Sequence, residues 1–194
     1  MGKALAAYRR KEWLPAHTAL KAAAEGQRGR KRRRTLALAK AVKQVGVNYA
    51  RGIQTQAANP GAALRYYKTA LKYDRKVPRG PHQAELKRQL YKVARIYATT
   101  AFTNGNYPGS YSAIKTAKAY GSLDGTLQRL LKRLDKKAMD LFNKAYTMKG
   151  SSPKQARRMW QTVLRMVPSK SEAYRKAYNW LNNSTPRYQD EDED

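Results

Sequence analysis

The sequence predicts an all-α fold: about four helical hairpins with a period of ~47 residues, stacked as an α-solenoid and closed by a C-terminal capping helix. Three observations predict it: a recurring triplet of helix-spaced residues, proline-led helix starts at matching offsets, and long apolar stripes of helical period between them.

The triplets lie in "EWLPAHTALKAAAE", "NPGAALRYYKTALKYD", "NYPGSYSAIKTAKAYG" and "SPKQARRMWQTVLRMV". Each has a small residue, a large apolar residue four later and a third apolar position three beyond: Ala16/Leu20/Ala23, Ala63/Tyr67/Ala70, Ser110/Ile114/Ala117 and Ala156/Trp160/Val163. Their first members are 47, 47 and 46 positions apart. The i, i+4, i+7 spacing places each triplet on one face of a helix.

In chain order, the first element is a short helix around Ala4 to Arg10, whose shortness predicts a chain cut from something longer. The first triplet helix follows. Thr35 is the expected N-cap of a long helix with the stripe Leu38, Val42, Val45, Tyr49 and Ile53. This puts "RGRKRRR", residues 28 to 34, in the connection or in that helix's first turn. Asn59-Pro60, Asn106 ahead of Pro108, and Ser152-Pro153 open the next triplet helices, because proline at a helix start gives up no intrahelical bond and Asn or Ser can cap. Between them run Leu86, Leu90, Val93, Tyr97 and Ala101, then Leu127, Leu131, Leu134, Ala138, Leu141 and Ala145. Tyr174, Ala177, Tyr178 and Leu181 mark the closing helix. The expected organisation is a single domain over 1–189, with repeats near 3–26, 35–75, 81–121 and 123–168, a capping helix at 170–183 and an acidic tail at 190–194.

"LFNKAYTMKGSSPKQARRMWQTVLRMVP", residues 141 to 168, resembles the tetratricopeptide repeat. Leu141, Ala145/Tyr146 and Gly150 match its first helix, Ala156, Trp160 and Val163/Leu164 its second, and Pro168 its closing proline. Residues 94 to 117 resemble it again. The period departs from that family, whose repeats are about 34 residues long. The closing stretch "KAMDLFNKAYTMKGSSPKQARRMWQTVLRMVPSKSEAYRKAYNWL" is similar to the helical tail of some bacterial forkhead-associated-domain signalling proteins. That similarity implies an interaction tail of a regulatory protein.

Chemistry is sparse. The chain has no cysteine and two histidines, His17 and His82. Both are read as helix-face residues rather than metal ligands. Asp135 and Asp140 do not share a helix face, and with Lys132, Arg133, Lys136 and Lys137 around them they read as ion-pair partners. "GQRGRKRRR" lacks the Gly-Lys-Ser/Thr end of a nucleotide loop and follows no strand. No enzyme, metal or cofactor is expected.

The charge is the strong signal. There are 41 Lys and Arg against 13 Asp and Glu, and five of those acids are the last five residues, so residues 1–189 hold 41 bases against 8 acids. Bases form the dense run Arg28, Arg30, Lys31, Arg32, Arg33 and Arg34, and recur opposite the apolar stripes of four further helices: Arg65, Lys68 and Lys72; Arg88, Lys92 and Arg95; Arg129, Lys132, Arg133 and Lys136; Lys154, Arg157, Arg158 and Arg165. A solvated face needs mixed charge, whereas like charges at i, i+4 cost a few tenths of a kcal/mol each. These twenty residues are therefore the candidate polyanion-binding set. The expected partner is an acidic protein. The alternative is nucleic acid gripped through its phosphates without sequence preference, with no sequence-reading motif present.

Tyr49, Tyr67, Tyr97 and Tyr178 fall on apolar stripes and read as core, while Tyr66, Tyr73 and Tyr188 are less committed. Aromatics placed inward argue against a membrane-surface role. With no apolar window near ~20 residues and no secretory h-region, membrane insertion is not expected and the cytoplasm is the expected location. The tail Asp190, Glu191, Asp192, Glu193 and Asp194 reads either as a frayed end or as a polyanion mimic, docking on a basic stripe of its own chain or of a neighbour.

Overall fold

The computed structural model describes residues 1–183, and every regular element among them is an α-helix. In order these are α1 (Gly2–Arg9), α2 (Trp13–Glu25), α3 (Gly29–Thr55), α4 (Pro60–Asp74), α5 (Gln83–Thr103), α6 (Tyr107–Tyr120), α7 (Gly125–Met148), α8 (Pro153–Met166) and α9 (Glu172–Asn183). The acidic tail 190–194 and Tyr188 lie outside the described residues.

The helix starts follow local chemistry. Asn59 Oδ1 accepts the Ala62 amide at 2.9 Å with Pro60 at the first helical position. Asn106 Oδ1 accepts the Gly109 amide at 3.0 Å, and Asp124 Oδ1 accepts the Leu127 amide at 2.9 Å. Each bond satisfies an amide that the helix itself leaves unpaired. Ser152, by contrast, makes no side-chain cap, and α8 starts on Pro153 alone.

The chain divides into two compact units. The first comprises residues 1–96 with 119–121, and the division falls inside α5, after Ile96. Within it α2 runs antiparallel to α3: His17 Nδ1 donates to the Ala39 carbonyl at 3.0 Å, and Trp13 meets Tyr49 at 6.0 Å between ring centroids. On α3 and α4, Tyr49 and Tyr67 meet edge to face at 6.0 Å. Two glycines permit these close approaches. A Cβ on Gly46 would stand 2.5 Å from the Trp13 side chain, and one on Gly52 would stand 2.7 Å from the Tyr67 ring. The core gathers Tyr8, Leu20, Val42, Val45 and Val77 with smaller residues, flanked by Trp13 and Tyr73.

The second unit comprises residues 97–118 and the chain from Ser122 on. α7, α8 and α9 pack on one another through Phe142, Trp160 and Trp180, with Trp160 and Trp180 stacked at 5.5 Å. Phe102 of α5 meets Tyr107 of α6 at 5.3 Å, and Ser110 Oγ donates to the Ala98 carbonyl at 2.8 Å. That bond explains a hydroxyl in the third triplet's small position.

Every triplet member is buried except Ala23, which is partly exposed while its neighbour Ala24 is buried. Other stripe positions are corrected by the fold. Ile53 is 48% exposed and Tyr178 51% exposed, and Tyr49 and Tyr97 are only partly buried. His82 sits not on a helix face but in the turn ahead of α5, buried, with Nε2 donating to the Tyr8 carbonyl at 2.8 Å.

A candidate anion-binding face on the third helix

The site is built outward from the start of α3. Arg28 is its N-cap residue, in extended conformation and with no side-chain cap bond, so the helix begins at Gly29 and Arg30 to Arg34 are already helical. This corrects the expected N-cap. Thr35 lies in the second turn, buried, and its hydroxyl donates to Gln27 Oε1 at 2.7 Å. The basic run is therefore an ordered helical surface whose charges oppose the helix dipole.

Helical spacing carries that surface onward. Arg32, Leu36, Lys40 and Lys43 follow i, i+4, i+8 and i+11, one line along α3. Opposite stand His17 and Lys21 of α2, and the two helices bound a groove of about 390 Å³ whose walls include Leu36, Ala39, Lys40 and Lys43. Leu36 is 38% exposed there, beside the buried Ala39. The groove thus combines an apolar floor with a rim of three lysines. Lys21, Lys40, Lys43 and Leu36 were missed in the sequence, because they come from two helices and only the i, i+4, i+7 spacing on α3 hints at them.

All twenty candidate bases are exposed. Those of α3, α4 (Arg65, Lys68, Lys72) and α5 (Arg88, Lys92, Arg95) belong to the first unit. Those of α7 (Arg129, Lys132, Arg133, Lys136) and α8 (Lys154, Arg157, Arg158, Arg165) belong to the second. Arg133 lies over the Phe102 ring at 4.4 Å, and Arg165 Nε donates to the Gln161 carbonyl at 3.3 Å.

The body's few acids are spent elsewhere. Glu12 pairs with Arg10 at 2.8 Å, Glu172 with Lys176 at 2.8 Å and Glu85 with Lys11 at 2.7 Å. Burial raises the Glu85 carboxyl, but hydrogen bonds from Lys11 and Tyr49 outweigh it and hold the group below its ordinary range. Asp74 is fully buried and accepts the Tyr8 hydroxyl, and its other carboxylate oxygen has no partner. Burial first, and then Asp74, keep the Tyr8 phenol protonated far above its usual range. Asp135 and Asp140, expected to pair with neighbouring bases, make no ion pair. Among the described residues no carboxylate lies within ion-pair distance of the run Arg28 to Arg34.

The expectation of inward aromatics needs amending, since Tyr146 is 44% exposed and Tyr178 more so. No helix among the described residues is long and apolar enough to cross a membrane. No group of three or more His, Cys, Asp or Glu side chains among them is placed to hold a metal ion. Comparison with protein-family models, with curated proteins and with solved structures gives no match to this chain.

Proposed function

We propose that the chain is a non-catalytic interaction scaffold of tetratricopeptide-like helical hairpins, whose basic surface binds an acidic protein partner in a regulatory or signalling assembly. Residues 1–189 are read as one such domain of about four hairpins, with α9 as its cap. In support, α3/α4, α5/α6 and α7/α8 each join a helix of 27, 21 or 24 residues to one of 15, 14 or 14.

The observation that carries the choice of partner is the line from Leu36 to Lys40 and Lys43, facing His17 and Lys21 across the groove. An acidic protein segment offers carboxylates for the lysines and an apolar side chain for the floor. A phosphate group meets the lysines but offers nothing apolar to the floor. Base stacking also finds little beside the run, because Trp13 and Tyr67 are turned into the packing of their own unit.

A labelled acidic peptide, duplex DNA and single-stranded RNA, each titrated against the chain across a salt series, test the proposal. The acidic peptide is expected to bind, and replacing Arg30 to Arg34 with Gln to weaken it about tenfold, or ~1.4 kcal/mol. Tight nucleic-acid binding with a steep salt slope, and none to the peptide, would establish the phosphate-binding alternative instead.

A further inference from the structure

We propose that His17 is a carboxylate-binding residue of the α2–α3 groove that acts only as its imidazolium, so that the acidic partner is held by a proton taken up on binding as well as by the lysines. This inference rests on the acidic-partner function proposed above, and adds its regulation by pH.

One bond decides the chemistry. His17 lines the groove, half-buried, and its Nδ1 lies 3.0 Å from the Ala39 carbonyl. A carbonyl oxygen can only accept, so Nδ1 carries a proton in every charge state of the ring. The neutral ring is therefore the Nδ1–H tautomer, and its Nε2 holds a bare lone pair. His17 makes no second hydrogen bond among the described residues. A carboxylate brought to that lone pair meets another acceptor and gains nothing. One proton turns the same atom into a cationic donor, fit for a charge-assisted bond to the carboxylate. The Nδ1 anchor on Ala39 stays in place throughout, so the change needs no movement of the chain.

The surroundings leave the matching anion to the occupant. The charged groups facing the ring are Lys21, one turn further along α2, and Lys40 and Lys43 on α3. α1, which also packs on α2, adds no side chain to the groove walls, and among the described residues no carboxylate lines them. An imidazolium at this position therefore finds its counter-charge only in a bound acidic segment. Proton and partner then favour each other reciprocally: the occupant stabilises the protonated ring, and acidification strengthens the hold on the occupant. Histidine is the side chain whose charge ordinarily changes between about pH 5 and 8, which sets the window in which the coupling is sought.

A labelled oligoaspartate peptide led by leucine, titrated against the full chain at constant ionic strength across that window, tests the coupling. Binding is expected to tighten about tenfold on acidification. Any loss of charge on the peptide, whose carboxylates ordinarily titrate near ~4, would act in the opposite sense. His17→Gln sets an amide near the Nε2 position, and His17→Asn keeps a donor for the Ala39 carbonyl; neither takes up a proton. Both variants are expected to bind with an affinity that no longer depends on pH. His82 and the N-terminal amine remain in both, so a rise on acidification that survives there overturns the proposal.

Heteronuclear NMR of the imidazole nitrogens reads the atom itself, with His17 assigned by the loss of its signals in the variants. The Nδ1–H tautomer is expected at the alkaline end, and the titration midpoint of His17 is expected to move up when the peptide is added. A neutral ring protonated on Nε2, or a midpoint that the bound peptide leaves in place, overturns the inference while the acidic-partner function stands. No peptide binding at any pH removes the acidic-partner function, and this inference falls with it.

Discussion

Asp74 is fully buried in the first unit, with one carboxylate oxygen held by Tyr8 and the other without a partner. Tyr8→Phe would leave both oxygens unsatisfied, at a cost of about 1–3 kcal/mol. Denaturant unfolding should show a lower midpoint with unchanged slope, and an unchanged midpoint would mean the bond contributes nothing net. None of this was legible in the sequence. "KYDRK" reads as a solvated acid among bases, and its partner is 66 positions away with no periodicity to announce it.

Gly46 is comparable. Alanine there gains up to ~1 kcal/mol of helix propensity but sets a Cβ 2.5 Å from the Cβ of Trp13, an atom next to the backbone that cannot swing away. The clash wins, and Gly46→Ala should destabilise by about 1–3 kcal/mol in the same assay.

The tyrosines set an alkaline limit. Burial, followed by the charges of Tyr49 and Glu85, pushes Tyr67 up to about 12. The unfolded phenol titrates near ~10. The folded pKa is raised, so this contribution is whole below pH ~10 and is lost as pH rises through about 12. Lys11, raised chiefly by its hydrogen bond to Glu85, is lost in the same direction. Unfolding midpoints should therefore fall across this window, and Tyr67→Phe should flatten the fall. A profile indifferent to that substitution would rule Tyr67 out.

At the scale of elements, α3 carries the site. Its first turns oppose the helix dipole with Arg30, Lys31, Arg32, Arg33 and Arg34, each such charge costing about 0.3–1 kcal/mol at low ionic strength. Replacing Arg30 to Arg34 with Gln should raise the melting temperature while weakening polyanion binding, the opposite signs expected of a residue kept for function. A fall in melting temperature would show that the arginines support the fold instead. The helices themselves were legible because their starts are local chemistry: Asn59, Asn106 and Asp124 cap amides three residues on. The start of α3 was misplaced for the complementary reason. Thr35 has a capping residue's identity, but Gln27 takes its hydroxyl and burial removes it from the helix end. The groove was illegible because Lys21 and Lys40 come together only through the antiparallel packing of α2 on α3.

For the whole molecule the governing quantity is the excess of bases, 41 against 8 through residue 189. Such a body repels itself, and added salt screens that repulsion over a Debye length of about 8–10 Å at 0.1–0.15 M. Melting temperature should rise from low to moderate salt, and more steeply in the wild-type chain than in the Arg30 to Arg34 variant. A flat salt response would mean that the unfolded chain is repelled just as strongly.

The start of the third helix also has a meaning for proteolysis. Six trypsin-cleavable residues between Arg28 and Arg34 would be cut at once in a loose linker. Here all but the N-cap Arg28 lie in helix, and cleavage must wait for the first turns to open. Their own repulsion favours the opening of those turns, and a bound polyanion would oppose it. The rate of tryptic nicking at this one place is thus a direct gauge of occupancy, requiring neither a label nor the identity of the partner.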